Sequence, residues 1–332
     1  MSIHEPFGEE LVLGVPLPTA PAITLTGGLA AQYQAITGDP LRLPLSAPLS
    51  EQVTGGDRLV NPALVLQVAI GQSTVATRRV IANLFYRNVR LLRQVPVGTT
   101  LETTVTPKAA KLARPGAGGE RAKVLLGMTT RDQSGNIVAD FERLALIPVQ
   151  DRSAIDETGD IGTAEDRLSL GDYLQLVPGG WDLSGLPAPA LVAQGIEVKD
   201  PLREPVTEAQ TLVRITQNLA AAHRDVARGQ QGRRLVYGGH TVGLAQASLS
   251  RIDPGIATVL GWHSCDHLAP VFEEDLLSFS AVLEDVTPHK QGNVTAYRIT
   301  ATAHRPGSEP VDVLSWIPVV WTASKTDPEG KP

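Results

Sequence analysis

The order of apolar and polar positions divides the chain into helical and extended stretches. Leu29 to Ile36 (LAAQYQAI) has helical spacing and ends at the helix stop Thr37-Gly38-Asp39-Pro40. Residues 40–57 are rich in Pro, Ser and Gly and read as a loop. Pro62 to Val75 (PALVLQVAIGQSTV) begins with a proline suited to a first helical turn. It is apolar or small almost throughout, the pattern of a helix enclosed on most sides. From Val80 to Pro148 the pattern changes to β-branched, alternating runs: LFYRNVRLL, TLETTVTP, AKVLLGMTTR and NIVADFERLALIPV. Pro-Val-Gly, Pro-Gly-Ala-Gly-Gly and Asp-Gln-Ser-Gly-Asn separate them, so the stretch predicts an antiparallel meander following a helix.

The second half repeats this order. Ile36-Thr37-Gly38-Asp39 matches Ile215-Thr216-Gln217-Asn218 at an offset of 179 residues. Arg58-Leu59-Val60 matches Arg234-Leu235-Val236 at 176, and Pro96-Val97 matches Pro270-Val271 at 174. A small-residue apolar helix, Thr241 to Leu249, follows the second anchor as Pro62–Val75 follows the first. The slow drift of the offset is what duplication with small deletions leaves. The expected organisation is therefore an N-terminal unit over 1–150, a polar connector over 151–190 with a short helix near 166–176, a C-terminal unit over 191–324, and a disordered tail over 325–332.

Composition narrows the classes. The chain has 332 residues, 42% hydrophobic and 19% charged, as in soluble globular proteins. A net charge of −6 argues against a broad nucleic-acid surface. No apolar run reaches the roughly 20 residues of a membrane span, and the first residues lack the pattern of a signal peptide. One cysteine, Cys265, permits no internal disulfide, which points to a reducing, cytoplasmic setting. No Cys/His cluster has zinc spacing, so no metal is expected. No Gly-x-Ser-x-Gly elbow or dinucleotide fingerprint is present.

Candidate chemistry concentrates in residues 215–250. Asn218, His223, Arg224 and Asp225 form a polar cluster, Arg228, Arg233 and Arg234 a basic run, and Gly238-Gly239 opens the small-residue helix. These words resemble the MaoC-like (R)-specific enoyl-CoA hydratases. In that family a loop S/T-G-D-x-N-P-x-H supplies an Asp and a His five residues apart, followed by a helix opening such as His-Gly-Met and a strand phrase such as R-P-V-F-x-G-D. Here Asn218-Leu219-Ala220-Ala221-Ala222-His223, Val236-Tyr237-Gly238-Gly239-His240 and Ala269-Pro270-Val271-Phe272-Glu273-Glu274-Asp275 stand at those places. The words RRLVYGGHT and GWHSCDH are similar to the two-domain branch that includes mesaconyl-CoA hydratase (β-methylmalyl-CoA dehydratase) and actinobacterial double-hotdog proteins. The resemblance implies an α+β double hotdog: two antiparallel sheets, each wrapped around a central helix, joined in one chain. The family's Asp is Asn218 here. In the first half Asp39 is kept, but Pro44 stands at the histidine position, which marks a degenerate counterpart.

What the resemblance implies for the site follows residue by residue. Hydration of an α,β-unsaturated thioester needs a base for water, an electrophile for enolate charge and a proton for the α-carbon. His223 is expected to move the protons, because imidazole titrates near working pH. Asn218 is expected to hold the water. Gly239, with Gly238, is expected to present helix N-terminal amides to the thioester oxygen. Tyr237 and His240 flank that turn as candidate substrate contacts, while Arg224, Arg233 and Arg234 suit the phosphates of coenzyme A. Asp225 is a candidate supporting carboxylate. Strand alternation over His263-Ser264-Cys265-Asp266-His267 puts His263, Cys265 and His267 on one face and Trp262, Ser264 and Asp266 on the other. His263, Asp266 and His267 therefore either border the site or form a network between the halves.

The expected partner is an acyl-CoA or acyl-carrier thioester, with coenzyme A as part of the substrate and no separate cofactor. A monomer or a homodimer of double-hotdog units fits equally. A thioesterase of the usual hotdog type is disfavoured, since neither apolar helix contains Asp or Glu. The alternative from another class is a non-catalytic acyl-CoA or acyl-carrier binding protein, which would tolerate Asn218.

Overall fold

A computed structural model describes residues 5–116, 118–191 and 193–324; the expected tail lies outside them. The first half contains β1 (Ile23–Thr24), α1 (Gly27–Thr37), α2 (Arg42–Leu45), α3 (Ala47–Thr54), α4 (Pro62–Gln72) and four long strands. These strands are β2 (Ala82–Leu91), β3 (Thr100–Leu112), β4 (Arg121–Asp132) and β5 (Ile137–Pro148). After α5 (Leu170–Leu174) the second half has β6 (Glu197–Pro205), α6 (Ala209–Ile215), α7 (Gly238–Ile252), β7 (Ile256–His267), β8 (Leu276–His289), β9 (Gly292–His304) and β10 (Val311–Ala323).

Among the described residues ten strands join one antiparallel sheet in the order β1-β3-β4-β5-β2-β7-β10-β9-β8-β6. The order reads alike from either edge to the centre, where β2 pairs with β7 through Tyr86–Cys265, Val89–Trp262 and Arg90–Gly261. The two sheets of an α+β double hotdog are thus continuous across a seam. One expectation changes here: β2 does not neighbour β3 in a simple meander but lies beyond β5, where it closes that seam. A second changes too, because residues 40–57 hold α2 and α3 rather than only loop. Pro48 near the start of α3 is compatible with a first helical turn, so a Pro-rich composition hid a real helix.

The enclosed helices sit as their sequences require. Every residue of α4 is buried, and α7 is buried from Gly239 to Ser250. Each helix is approached by the segment that precedes the other half's helix, α1 in one case and the turn after α6 in the other. Gly71 of α4 packs against the Thr216 backbone, and a Cβ there would lie 1.8 Å from the carbonyl oxygen. Gly243 of α7 packs against Tyr33 and Thr37, with a Cβ meeting the Tyr33 hydroxyl at 2.9 Å. Small residues in these helices therefore serve close interlocking between the halves.

Candidate active site

The turn after α6 is held by its own backbone and then docked onto the first half. Thr216 Oγ1 donates to Leu212 O at 2.7 Å, Gln217 adopts φ 56°, and Asn218 N donates to Val213 O at 3.0 Å. Leu219 N donates to Thr74 Oγ1 at 2.7 Å, and Ala221 N to Arg78 O at 3.0 Å. This brings Asn218 and His223 to a cavity of about 280 Å³ shared by both halves. Val236, Tyr237, Gly238, Thr241, His267 and the Ala269–Val271 segment line it from the second half. Thr74, Thr77, Asn83, Tyr86 and Arg143 line it from the first.

His223 ends a short 3-10 turn, Ala221–His223, and its Nδ1 lies 3.0 Å from Leu235 O. A carbonyl oxygen only accepts, so Nδ1 carries the hydrogen and Nε2 keeps its lone pair. Part of the ring stays on the cavity surface while protein packs closely round the rest. That enclosure pushes its pKa down to about 4; the Leu235 carbonyl opposes the shift, and the charges of Arg224 and Arg143 add to it. His223 is therefore a neutral base at neutral pH.

Asn218 is 1% exposed, and its Oδ1 accepts from Ala220 N at 3.0 Å. With the carbonyl end so used, its Nδ2 is the group left to offer the cavity. Gly238 occupies the first turn of α7 behind Tyr237, with no side-chain cap. Its amide accordingly lacks an intrahelical acceptor and carries the positive end of the helix. A Cβ on Gly238 would come within 2.5 Å of the His267 ring, so glycine is what permits this packing. Burial pushes His267 down to about 4, helped by His223. The Tyr237 ring packs tilted against that of His223, with centroids 5.6 Å apart, and its hydroxyl donates to Gln67 O at 3.3 Å.

The structure thus gathers Asn218, His223, Tyr237, Gly238 and His267, and leaves other expected residues elsewhere. Gly239 and His240 are absent from the cavity lining, because one and two steps further round α7 point into the protein. His240 is 1% exposed, with its pKa pushed down to about 4 by burial. Arg224 donates from Nε and Nη2 to Asn218 O at 2.9 and 2.7 Å, so it braces the turn from behind. Arg233 lies over the Phe272 ring at 4.5 Å, and Arg234 pairs with Glu273 at 3.2 Å. Asp225 caps the next 3-10 turn through Ala227 N.

The alternation expected along β7 fails at one point. Ile317 faces Ser264 and Pro318 faces Trp262, so His263 is an extra residue at a bulge. Pro318 has no N–H to give the ladder, which suits it to that irregularity. Trp262, Cys265 and His267 consequently share the inner face. His263 instead packs on Tyr173 at 5.3 Å, and Asp266 lies near Glu165 and Arg298, both on the far side of the sheet.

The first-half counterpart is occupied differently. Asp39 is 0% exposed and accepts from Leu41 N at 2.9 Å, Asn61 Nδ2 at 2.8 Å and Gln246 Nε2 at 2.6 Å. A cavity of about 270 Å³ exists here too, lined by Pro44, Leu59 and Asn61 among others, without a histidine.

Sequence reasoning missed the first-half wall. One signal was present in NIVADFERLALIPV: alternation places Arg143 with Phe141 and Ala145 on the buried face, and these three are 4%, 1% and 0% exposed. A charge at an inward strand position marks a site or a network.

No family model matches the chain. It is 37% identical to Rv0216 of Mycobacterium tuberculosis, a conserved hypothetical protein with a double hotdog fold, with a TM-score of 0.86 over 97% of this chain and 99% of that one. It is 26% identical to a mesaconyl-CoA hydratase of Cereibacter sphaeroides over 92% of this chain and 90% of the relative. A putative MaoC domain protein dehydratase of Chloroflexus aurantiacus superposes with a TM-score of 0.81 at 21% identity, over 97% of this chain and 98% of that one.

Proposed function

The chain belongs to the MaoC-like double-hotdog family of hydratases and dehydratases, and from that premise we propose that it adds water to, or removes it from, a short enoyl-CoA. The observation that carries this reading is His223, neutral, tautomerically fixed by Leu235 O, and set in one cavity with the N-terminus of α7. Coenzyme A enters as part of the substrate. A cavity of about 280 Å³ sits at the lower end of small-molecule sites, which suits a short acyl group.

In this mechanism Nε2 of His223 takes a proton from water as its oxygen bonds to the β-carbon. The electron pair of the double bond moves toward the thioester, whose oxygen is held by the Gly238 amide at the positive end of α7. The imidazolium then gives its proton to the α-carbon, and dehydration is the reverse. Asn218 Nδ2 donates to the water oxygen and fixes its position, but an amide takes up no proton. His223 is thus the single base of the motif.

The test is the enoyl-thioester absorbance of short linear and branched enoyl-CoAs. Loss of the band with wild type, reduced about a thousandfold in His223→Ala, is the expected result. Equal rates in both proteins would remove His223 from the chemistry. Asn218 in the carboxylate position favours a second reading, a non-catalytic acyl-CoA binder. That reading predicts thermal stabilisation by CoA esters without loss of the band.

A further inference from the structure

A carbonyl oxygen that takes up negative charge has two lone-pair directions, and the Gly238 amide meets only one of them. His267 stands beside that amide. It closes β7, and the bulge at His263 turns it to the inner face with Trp262 and Cys265. It lines the cavity together with Gly238 and His223. Its ring takes up the space that a side chain on Gly238 would fill, with Cε1 and Nε2 both 2.5 Å from the position of such a Cβ. The imidazole therefore borders the uncapped first turn of α7, where the free amides gather.

The neighbours of the ring decide which nitrogen carries its hydrogen. Nε2 lies 3.9 Å from Cys265 Sγ, within reach of a weak S–H bond. Cys265 is 1% exposed, and burial pushes its pKa up, so the thiol keeps its hydrogen and gives it to Nε2. Burial and the nearby His223 hold the His267 ring neutral at neutral pH. A neutral ring that accepts at Nε2 has its own hydrogen on Nδ1. That Nδ1 makes no hydrogen bond to a described residue. His240 provides the contrast: its pKa is pushed down as far, but both its nitrogens are buried and it is absent from the cavity lining. What distinguishes His267 is its place. A neutral imidazole polarises a carbonyl without adding a charge next to His223, which becomes imidazolium during the reaction.

We propose that His267 is the second electrophile of this site, its Nδ1–H donating to the thioester oxygen together with the Gly238 amide. Enolate charge is then shared by a backbone and a side-chain donor, and His267 neither gains nor loses a proton in the cycle. This rests on the reading that the cavity receives an acyl thioester.

Infrared difference spectra of bound butyryl-CoA, isotopically labelled at the thioester carbonyl, test it. This ester is saturated, so polarisation is read whether or not the protein hydrates enoyl thioesters. The carbonyl stretch is expected to fall in frequency on binding to wild type. His267→Asn keeps an N–H near the place of Nδ1, and His267→Leu has the same shape without it. The downshift should persist in the first and shrink in the second. In the enoyl-CoA absorbance assay His267→Leu should lose about a hundredfold in kcat with little change in KM, and His267→Asn should recover most of that loss. No downshift in wild type, or an undiminished one in a cooperatively melting His267→Leu, would overturn the proposal and leave the thioester reading standing. So would equal losses in the Asn and Leu variants, because packing against Gly238 is what both have lost. Where His267→Leu does not melt cooperatively, His267→Phe, which keeps a ring there without the N–H, takes its place. Failure of butyryl-CoA to bind wild type would sink the thioester reading and this proposal with it. A downshift that depends on the N–H, without hydration of enoyl-CoAs, would uphold the donor and sink only the catalytic step.

Discussion

The turns that follow α1 and α6 are built alike, down to single hydrogen bonds. Thr37 Oγ1 donates to Tyr33 O at 3.1 Å, as Thr216 Oγ1 does to Leu212 O at 2.7 Å. Gly38 and Gln217 both take positive φ, 59° and 56°. Asp39 Oδ1 accepts from Leu41 N at 2.9 Å, as Asn218 Oδ1 does from Ala220 N at 3.0 Å. Beyond that shared backbone the two diverge. Asp39 spends its other oxygen on Asn61 and Gln246, tying the first turn to α4 and α7. Asn218 leaves its amide to a cavity, with His223 beside it. One copy of the turn is a buried fastener and the other a cavity wall. The same local fold thus serves either end, and the choice lies in what the side chain's second polar atom meets.

Substitutions that exchange the two roles probe this contrast, and the largest effect is expected at the interlocking helices. Gly71→Ala drives a methyl into the Thr216 carbonyl at 1.8 Å, a backbone atom that cannot swing aside. It should cost about 3 kcal/mol or more and displace the Asn218 turn. Gly243→Ala meets side-chain atoms at 2.9 to 3.2 Å and should cost about 1 kcal/mol. Chemical denaturation of the pair measures the difference, and equal losses would contradict the interlock.

Asp39→Asn comes next. It turns an acceptor of the Asn61 and Gln246 amides into a donor facing donors, at a cost of roughly 2–3 kcal/mol. The reciprocal change, Asn218→Asp, keeps the acceptor for Ala220 N and adds a carboxylate oxygen beside His223. Stability should move by less than about 1 kcal/mol while hydration rises about tenfold, by the absorbance assay. Unchanged turnover in a protein that still binds acyl-CoA would show that the carboxylate does not join the chemistry.

Acid supplies a graded probe. His223, His240 and His267 are each pushed down to about 4 from 6.5 by burial. Between these values the unfolded chain takes up protons that the folded protein refuses, so stability falls as pH falls through that window. At about pH 5 each should cost on the order of 2 kcal/mol. Thermal melts from about pH 7.5 downward should show Tm falling below 6.5 and less of that fall in His240→Leu; a flat profile would mean these rings are hydrated.

Much of this was legible in the sequence where the signal is local. Apolar spacing placed α1, α4 and the long strands, and the repeated Ile-Thr-x-(Asp/Asn) word located both turns. The α+β double hotdog followed from that order together with the family resemblance. Three things were not legible. A bulge at His263 shifts side-chain parity by one, and periodicity cannot register an extra residue. The Pro-rich stretch concealed α2 and α3, because proline near a helix start looks locally like proline in a loop. Most of all, the site's second wall comes from β2 and β5, and contacts between distant segments leave no local period. Arg143 on an inward strand position was the one visible trace.

The continuous ladder between β2 and β7 has a further consequence. In a pair of identical subunits every substitution appears twice, so neither site can be lost without losing both. Here the two halves are one chain, and a change in one need not be matched in the other. Pro44 and His223 can therefore differ, Asp39 can be committed to holding the molecule together, and β5 of one half can wall a cavity that holds the histidine of the other. Joining the halves is what freed them to become unequal.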